Sequence, residues 1–395
     1  MSRAARILAG TLPPGGATCL FPVVKELRRR PDVELQVIGY SHSAEIFREH
    51  DVEFIDLDKD SDDPVTEATV QEVASRYAPD LVMTGVFGPI EGGLDYWLIR
   101  AAQDQRIQSF GILDAWMNYA MRFADPVSGD PVAYLPDRLA VMDDQTVEEL
   151  AAEGIPGDRV CVTGHPFLPL VRQRARDRAA RLRHRKDLGA RPGDRVIVFF
   201  SEPLRWGEQE GLNEPLGYDE FDAFRLLEAG LAQSTNEDIL VVREHPRHAS
   251  LQLPDRIDRT RVIRGREQRM LDLIQAADVV VGMSSTVLVY AYLAGQKVLV
   301  IQPGLRPDRD CNVLTRRGIL PNLQTTAEVA RTLAESSNMG AQTLQAVRGV
   351  LGWADRPDVR AAQCALQMCQ DAGNEKHQPQ RTASVVFPRR TAAPR

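Results

Sequence analysis

Short apolar runs alternate with amphipathic stretches along almost the whole chain. The apolar runs, such as Val279–Val281, are continuous and rich in Val, Ile and Leu, which is typical of strands buried on both faces of a parallel sheet. Helical spacing in the stretches between them predicts a doubly wound α/β fold. The predicted strands are Arg6–Gly10, Glu34–Gly39, Val52–Leu57, Asp80–Thr84, Gln108–Leu113, Arg138–Met142, Arg159–Thr163, Arg195–Phe200, Asp238–Arg243, Arg261–Arg264, Val279–Val281 and Lys297–Ile301.

The strand–helix pattern stops at an arginine-rich helix and then starts again, which predicts two domains. A solvated linker helix is favoured over a nucleic-acid or membrane face, because its apolar stripe is thin and no aromatic residues interleave with the arginines. The end of the chain has no periodicity and is predicted to be disordered. The segments are an N-terminal Rossmann-like domain (1–170), the linker (171–194), a C-terminal Rossmann-like domain (195–352), a C-terminal helix (353–373) and the tail (374–395).

Composition narrows the class of protein. The 395 residues are 43% hydrophobic and 26% charged, enough for two globular domains. The net charge of −7 argues against a general nucleic-acid binder. No run of 18 apolar residues predicts a membrane helix, and the N-terminus lacks the apolar stretch of a signal peptide. The five cysteines show no metal-type spacing, so we expect reduced thiols in a cytoplasmic protein.

A candidate anion site follows the strand at Val279–Val281. Met283, Ser284, Ser285 and Thr286 come directly after the strand and directly before a predicted helix. Free backbone N–H groups, the positive end of the helix dipole and three hydroxyls would meet there, which suits a phosphate. The alternative is that a serine only caps the helix.

A second loop with anion-binding chemistry ends the strand Asp238–Arg243. His245 precedes Pro246 and is flanked by Arg243 and Arg247, so it could donate to a phosphate or a leaving group. The alternative is a surface turn. No Asp-x-Asp motif stands at a suitable strand end, and the Asp143–Asp144 pair is more simply a helix N-cap, so no metal is predicted.

The N-terminal half offers candidate acidic and aromatic groups after its fifth strand. Asp114 could act as a general base on an acceptor hydroxyl. The alternative is a helix N-cap with buried aromatic residues behind it. Glu91, with Asp95, is the second candidate base. Polar and aromatic groups cluster at the same ligand-facing edge, at Trp116, Asn118, Tyr119 and Arg122.

Several other positions are expected near the cleft. Gly15 and Gly16 begin the first helix, where a tight turn explains them about as well as ligand contact does. His165 could be catalytic, but a histidine packed between the domains is favoured. Four further residues follow C-terminal strands and are expected to contact a ligand held by that half: Glu202, Arg205, Gln302 and Gly304.

Layout and motifs together resemble the GT-B architecture, a pair of Rossmann-like domains facing each other across a cleft. The segment VTGHPFLPL resembles one that ends the N-terminal domain of sugar-nucleotide 2-epimerases. REHPRH and MSST resemble the HP and SS motifs of polysialyltransferase-like capsule-type transferases and of glycerophosphotransferases. The resemblance implies that the C-terminal domain holds the nucleotide donor, with its phosphates on the HP and SS loops. It also implies that the N-terminal domain holds the acceptor and that the last helix crosses back to this domain. The residues then predicted to bind the acceptor are Trp116, Asn118, Tyr119 and Arg122, with the two rings stacking on a sugar.

One departure from the epimerase pattern favours a transferase. Epimerases of this fold carry two glutamates after the phosphate loop, where this chain has Val289 and Tyr290. We therefore predict a metal-independent glycosyltransferase that moves a sugar from a nucleotide-activated donor to a hydroxyl of a glycan or metabolite. No cofactor is expected, because the nucleotide sugar is a substrate. The alternatives are a sugar-nucleotide 2-epimerase or hydrolase, and a non-catalytic nucleotide-binding subunit of polysaccharide biosynthesis. Both a monomer and a homodimer are compatible with the sequence.

Overall fold

The computed structural model describes residues 3–59, 64–86, 93–125, 127–211, 214–245, 251–265, 268–335, 351 and 354–375. Three predictions fall partly or wholly outside these residues. They concern Glu91, Pro246 and most of the tail, of which only the first two residues are described, as the end of a helix.

The N-terminal half forms one parallel sheet of seven strands in the order β3-β2-β1-β4-β5-β6-β7. The first strand, β1, lies inside the sheet. Strands β2 and β3 extend the sheet on one side of β1 and strands β4 to β7 on the other, so the strand order reverses between β1 and β4. Ligands of doubly wound sheets bind in the crevice at such a reversal, beyond the carboxyl ends of the strands. The strands are β1 Ala5–Gly10, β2 Val33–Gly39, β3 Ile55–Asp56, β4 Leu81–Gly85, β5 Gln108–Ile112, β6 Arg138–Val141 and β7 Val160–Val162.

Helices cover both faces of this sheet. Neighbouring side chains of β1, Ile7 and Leu8, belong to separate apolar clusters and are both completely buried. This double burial is what the continuous apolar run predicted. The helices are α1 Pro14–Leu27, α2 Ser41–Glu49, α3 Glu67–Tyr77, α4 Leu94–Gln105 and α5 Asp144–Ala152.

The C-terminal half repeats the arrangement in the order β10-β11-β9-β8-β12-β13-β14, with β10 antiparallel to β11 and the remaining pairs parallel. Its strand order reverses between β8 and β12. The strands are β8 Arg195–Phe200, β9 Asp238–Arg243, β10 Arg256–Ile257, β11 Thr260–Arg264, β12 Val279–Gly282, β13 Lys297–Ile301 and β14 Asn322–Leu323. Between the two sheets lie helices α6 Leu168–Ala175 and α7 Arg178–Asp187, and this half carries α8 Leu204–Gln209, α9 Glu220–Leu231, α10 Met270–Ala276, α11 Val287–Leu293, α12 Val313–Arg316 and α13 Thr326–Ala334.

The arginine-rich linker is two helices instead of one, because Asp177 interrupts it and caps α7. Arg181 and Arg185 both pair with Asp278, at 2.5 and 2.7 Å. They also donate to backbone carbonyls at the end of α10, where helix carbonyls lack intrahelical partners. Part of the positive charge therefore anchors the linker to the C-terminal half.

The final helix, α14 (Pro357–Glu375), returns to the N-terminal half and packs on α1, β4 and β5. This crossing is the one that the GT-B resemblance implies. None of the helices described is long and apolar enough to span a bilayer.

A buried ion-pair cluster joins the two halves. The Arg317 guanidinium, just after α12, contacts the Asp143 carboxylate at 3.0 Å and the Glu149 carboxylate at 3.2 Å. Its side chain is only 1% exposed. Both acidic residues belong to the N-terminal half, so one cation from the C-terminal half neutralises two anions across the junction.

Replacing Arg317 with Met should destabilise the protein by about 3–5 kcal/mol, because it leaves buried carboxylates without their cation. The measurement is the urea midpoint of unfolding. Arg183→Met is the matched control, since Arg183 is exposed on α7 and should change stability by less than about 0.5 kcal/mol. Equal midpoints for the two variants would show that the cluster does not stabilise the junction.

Candidate functional site

The predicted phosphate loop holds an anion that belongs to the chain itself. The backbone N–H groups of Ser284 and Ser285 donate to Oε1 of Glu202 at 2.7 and 3.0 Å, and the Ser284 hydroxyl donates to Oε2 at 2.5 Å. Glu202 follows β8 and the serines follow β12, so the contact lies at the strand-order reversal of the C-terminal sheet. Burial raises the pKa of Glu202 above its usual range. The loop therefore has the donors expected of an anion site, and a carboxylate occupies them.

The neighbours of the serines have structural roles. Thr286 is the N-cap of α11 but its side chain makes no capping bond, whereas the Ser285 hydroxyl accepts from the Val287 N–H at 3.3 Å. Met283 is fully buried, and its carbonyl accepts from the Asn312 amide at 2.8 Å. Capping thus accounts for part of the role of Ser285 and for none of the bonds that Ser284 makes to the carboxylate.

His245 lies beyond the end of β9, and the serine loop lies beyond the end of β12. Strand β8 separates those two strands, so the loops are two strand spacings apart, about 10 Å, with Glu202 between them. The Arg243 side chain donates to the Gly265 carbonyl at 2.8 Å. Both loops are thus on one edge of the sheet, and phosphate contact by His245, Arg243 and Pro246 stays a prediction.

Arg205 is tied to the start of α9. Its guanidinium donates to Asp219 at 2.8 Å and lies 4.0 Å above the Phe221 ring. Its backbone N–H donates to Glu220 at 2.9 Å. A donor phosphate or carboxylate would have to compete with Asp219 for this side chain.

Gln302 and Gly304 follow β13. Gln302 is buried, and its side-chain oxygen has no hydrogen-bond partner among the residues that the structure describes, although its side chain interacts with the nearby Tyr218 hydroxyl. Gly304 has a φ of +74°, and a Cβ on neighbouring Gly217 would lie 2.4 Å from its carbonyl oxygen. Close backbone packing therefore explains Gly304 without a ligand, whereas contact between the unpartnered Gln302 oxygen and the nucleotide donor stays a prediction.

Asp95 lies at the strand-order reversal of the N-terminal sheet. It accepts from the Thr11 hydroxyl at 2.5 Å, the Leu12 N–H at 2.9 Å and the Thr84 hydroxyl at 3.1 Å. Burial is the largest influence on its pKa and raises it to about 6. The sequence indicated Asp95 only as the companion of Glu91, although a polar residue at the start of a helix after a buried strand could have singled it out.

Asp114 forms an ion pair with Arg122 at 2.8 Å, and each side chain is about one-tenth exposed. The first turn of α1 packs directly on it, since a Cβ on Gly15 would lie 2.0 Å from an Asp114 carboxylate oxygen. A Cβ on Gly16 would lie 2.3 Å from the Thr11 hydroxyl. Both glycines are thus explained by tight packing, and ligand contact there stays a prediction.

Trp116 and Tyr119 were expected at an open edge of the sheet, but both side chains are buried. Both are 1% exposed, because they lie in the junction between the halves. Trp116 donates from its ring nitrogen to Asp143 at 2.6 Å, and Tyr119 donates to Glu149 at 2.5 Å. The alternative of buried aromatic residues behind Asp114 describes their environment, and neither ring offers an exposed face for stacking on a sugar.

His165 is also part of the junction. Its Nε2 is 3.1 Å from the Tyr290 hydroxyl and 3.2 Å from the Asp114 carbonyl, and its ring stacks on Trp116 with centroids 5.4 Å apart. Burial lowers its pKa to about 4, so it is neutral near pH 7. This confirms the favoured role of His165 as a packing residue between the domains.

A cavity of about 290 Å³ opens where the two halves face each other. Asn118 and Tyr119, two of the predicted acceptor residues, line it, and the Asn118 side-chain oxygen is 3.8 Å from the Cys311 sulfur of the opposite half. The lining residues are Met117, Asn118, Tyr119, Met121 and Glu153 on one side and Asp310, Cys311 and Arg316 on the other.

Within the described part of the chain, no group of three or more His, Cys, Asp or Glu side chains could hold a metal ion. Asp143 caps α5 by accepting the Thr146 N–H at 2.8 Å, as the N-cap interpretation of the Asp143–Asp144 pair expected.

Replacing Gly15 with Ala should cost about 1–3 kcal/mol of stability, because the new methyl group would overlap the Asp114 carboxylate. Thermal denaturation measures the loss. Gly157→Ala is the control, since nothing lies within 4 Å of a Cβ at Gly157. A Gly15 variant as stable as the control would contradict this packing.

The raised pKa of Asp95 predicts a specific pH dependence. Because the Asp95 pKa is higher in the folded chain than in the unfolded chain, protonation of this carboxyl stabilises the fold. The stabilisation is fully present below the unfolded-chain pKa of about 3.9 and is lost as the pH rises through the folded-chain pKa of about 6. Between pH 7 and pH 5 the wild type should therefore gain about 1.4 kcal/mol of unfolding free energy relative to Asp95→Asn. Urea denaturation at both pH values gives the difference, and a constant difference would argue against the shift.

Comparison with known proteins adds structural neighbours. No protein-family model matches the sequence, and no curated protein matches it either. The structure resembles the UDP-GlcNAc 2-epimerase from Neisseria meningitidis bound to UDP-GlcNAc, with 13% identity, a TM-score of 0.61 and coverage of 93% of this chain and 100% of that chain.

Two further structures are similar to a comparable degree. The glycotransferase of kitacinnamycin is 16% identical, with a TM-score of 0.56 and coverage of 95% and 99% of the two chains. An Arabidopsis thaliana protein complexed with UDP-L-rhamnose is 14% identical, with a TM-score of 0.59 and coverage of 93% and 100%. With two doubly wound sheets joined across their carboxyl edges, the chain has the GT-B fold, the architecture it shares with 2-epimerases and glycosyltransferases.

Proposed function

We propose that the protein is a nucleotide-sugar enzyme, and specifically a metal-independent glycosyltransferase. One observation carries the proposal: the loops beyond the carboxyl edges of the two sheets meet. Tyr290, in the helix after the Ser284–Ser285 loop, reaches His165, which contacts the Asp114 carbonyl. A donor bound on the C-terminal loop would therefore lie across from the carboxylate of the N-terminal half.

On the donor side, the diphosphate of the nucleotide takes the place of the Glu202 carboxylate. The two backbone N–H groups and the Ser284 hydroxyl already converge on an anion, and a phosphate offers oxygens for the same donors. Glu202 turns away when the donor binds. His245 lies on the same edge and helps to neutralise the leaving diphosphate, a role that needs preorganised donors and no metal.

On the acceptor side, Asp114 receives the proton of the attacking hydroxyl, with Arg122 orienting its carboxylate at 2.8 Å. Glu91, outside the described residues, remains the second candidate for this base.

A transferase is favoured over an epimerase because the helix after the serine loop provides no carboxylate. Val289 and Tyr290 are both buried there, and Tyr290 is bonded to His165. Similarity to solved epimerases keeps epimerisation as the second candidate function. Incubating UDP-GlcNAc with the enzyme in deuterated water without an acceptor distinguishes the two, since deuterium at C2 of the sugar would favour the epimerase.

The donor site predicts opposite effects for two variants. Glu202→Ala frees the N–H groups and should bind nucleoside diphosphates about tenfold more tightly than the wild type. Ser284→Ala removes a hydrogen-bond donor, so this variant should bind nucleoside diphosphates about tenfold more weakly than the wild type. A thermal-shift screen with CMP, CDP, UDP, UMP and GDP selects the nucleotide, and calorimetry gives the affinities.

Glu208→Ala is the matched control, because it also removes one carboxylate but does so at an exposed position. Glu208 lies on α8, the helix that follows Glu202. Weaker binding by Glu202→Ala would mean that Glu202 contacts the ligand instead of occupying its place. Tight nucleotide binding without turnover against a broad acceptor panel would favour a non-catalytic subunit. No stabilisation by any nucleotide would overturn the proposed function.

A further inference from the structure

The cavity between the two halves has a size and position that no part of the donor chemistry explains. At about 290 Å³ it lies at the small end of the range for small-molecule sites. Its walls come from the segment 117–121 and Glu153 on one side and from Asp310, Cys311 and Arg316 on the other. A ligand here would touch both halves.

The charges of the cavity argue against a phosphate. Glu153 and Asp310 outnumber Arg316, so the wall carries a net negative charge. Arg316 is already bonded to the Trp116 carbonyl, and its guanidinium lies 3.5 Å from Glu149. A diphosphate would meet two carboxylates and a cation that is committed elsewhere, so a neutral ligand fits better.

The two acidic groups also accept hydrogen bonds from within the protein. Glu153 accepts the Ala120 N–H at 2.7 Å. Asp310 accepts the Asn312 N–H at 2.9 Å and the Thr315 hydroxyl at 2.6 Å. These bonds hold both carboxylates in place, and their remaining lone pairs can still accept a hydroxyl of the ligand.

Apolar and polarisable side chains complete the lining. Met121 is 49% exposed, which is unusual for a large apolar side chain in this structure. Met117 lines the same cavity, as does the Cys311 thiol. Methionine adapts its shape to apolar and aromatic ligands. The lining is thus half apolar: the two methionines offer an apolar surface to the body of a ligand, and polar groups such as the Asn118 amide lie beside them.

The cavity wall is connected to the proposed base through one side chain. Arg122 donates to the Asp114 carboxylate at 2.8 Å and to the Met117 carbonyl at 3.2 Å. A molecule lying on Met117 is therefore next to the residue that holds Asp114 in place.

We propose that this cavity binds the acceptor and selects a neutral alcohol or phenol with an apolar body over a free sugar. The proposal rests on the proposed function. In the transfer, the acceptor oxygen forms a bond to the anomeric carbon as the bond from that carbon to the diphosphate oxygen breaks. The electron pair leaves with the diphosphate, and the hydroxyl proton passes to Asp114.

The test uses 4-methylumbelliferone, a neutral aromatic phenol, and methyl α-glucoside, a polar alcohol. Fluorescence titration of the full chain should show binding of the phenol, and calorimetry should show no measurable binding of the glucoside. Met121→Glu should weaken phenol binding about tenfold, because an apolar contact is replaced by a charge. Val127→Glu is the matched control, since Val127 is 93% exposed and does not line the cavity.

A second readout locates the bound phenol. Alkylation of Cys311 by N-ethylmaleimide, followed by peptide mass spectrometry, should be slowed by 4-methylumbelliferone in the wild type. Equal phenol affinity in Met121→Glu and wild type, absence of protection at Cys311, or a preference for the glucoside would each overturn the acceptor assignment. Nucleotide binding by Met121→Glu should be unchanged, so failure of the donor site would appear separately, as absence of a nucleotide thermal shift in the wild type.

Discussion

Arg317 provides the interaction on which the junction depends. A guanidinium buried between two carboxylates is stable only if all three groups stay together, because each charge alone would be costly in the interior. The same carboxylates accept from Trp116 and Tyr119, so the cation also holds the segment that carries the cavity wall. The relative placement of the halves and the shape of the candidate site therefore have one electrostatic origin.

The C-terminal loop illustrates how a binding site can be arranged before its ligand arrives. Two N–H groups and a hydroxyl pointing at one place would be costly if buried without an acceptor. The Glu202 carboxylate satisfies them, and its raised pKa reflects the burial that accompanies this arrangement. A ligand that replaces Glu202 must offer better acceptors than a carboxylate that is already in place.

Strand and helix predictions succeeded where long apolar runs decide the structure, as in β8, β9 and β13, whose bounds match the sequence patterns. They were less accurate where local signals are weak: β3 is two residues long instead of six, and α8 lies in a segment without a clear helical period. The linker was predicted as a single helix because its arginines continue past Asp177, whose capping side chain ends that continuity.

The sequence by itself determined the two doubly wound sheets and the position of the serine loop at a strand end, because these follow from local periodicity and chain order. For His165 it only favoured packing between the domains over catalysis. Only the tertiary structure decided that the serine loop binds the Glu202 carboxylate, that Arg205 pairs with Asp219, and that Trp116 and Tyr119 are buried. These contacts join residues distant in sequence or depend on how the halves pack. Charge and burial in the folded chain select the partner of each polar group, and these partners cannot be read from composition or residue spacing.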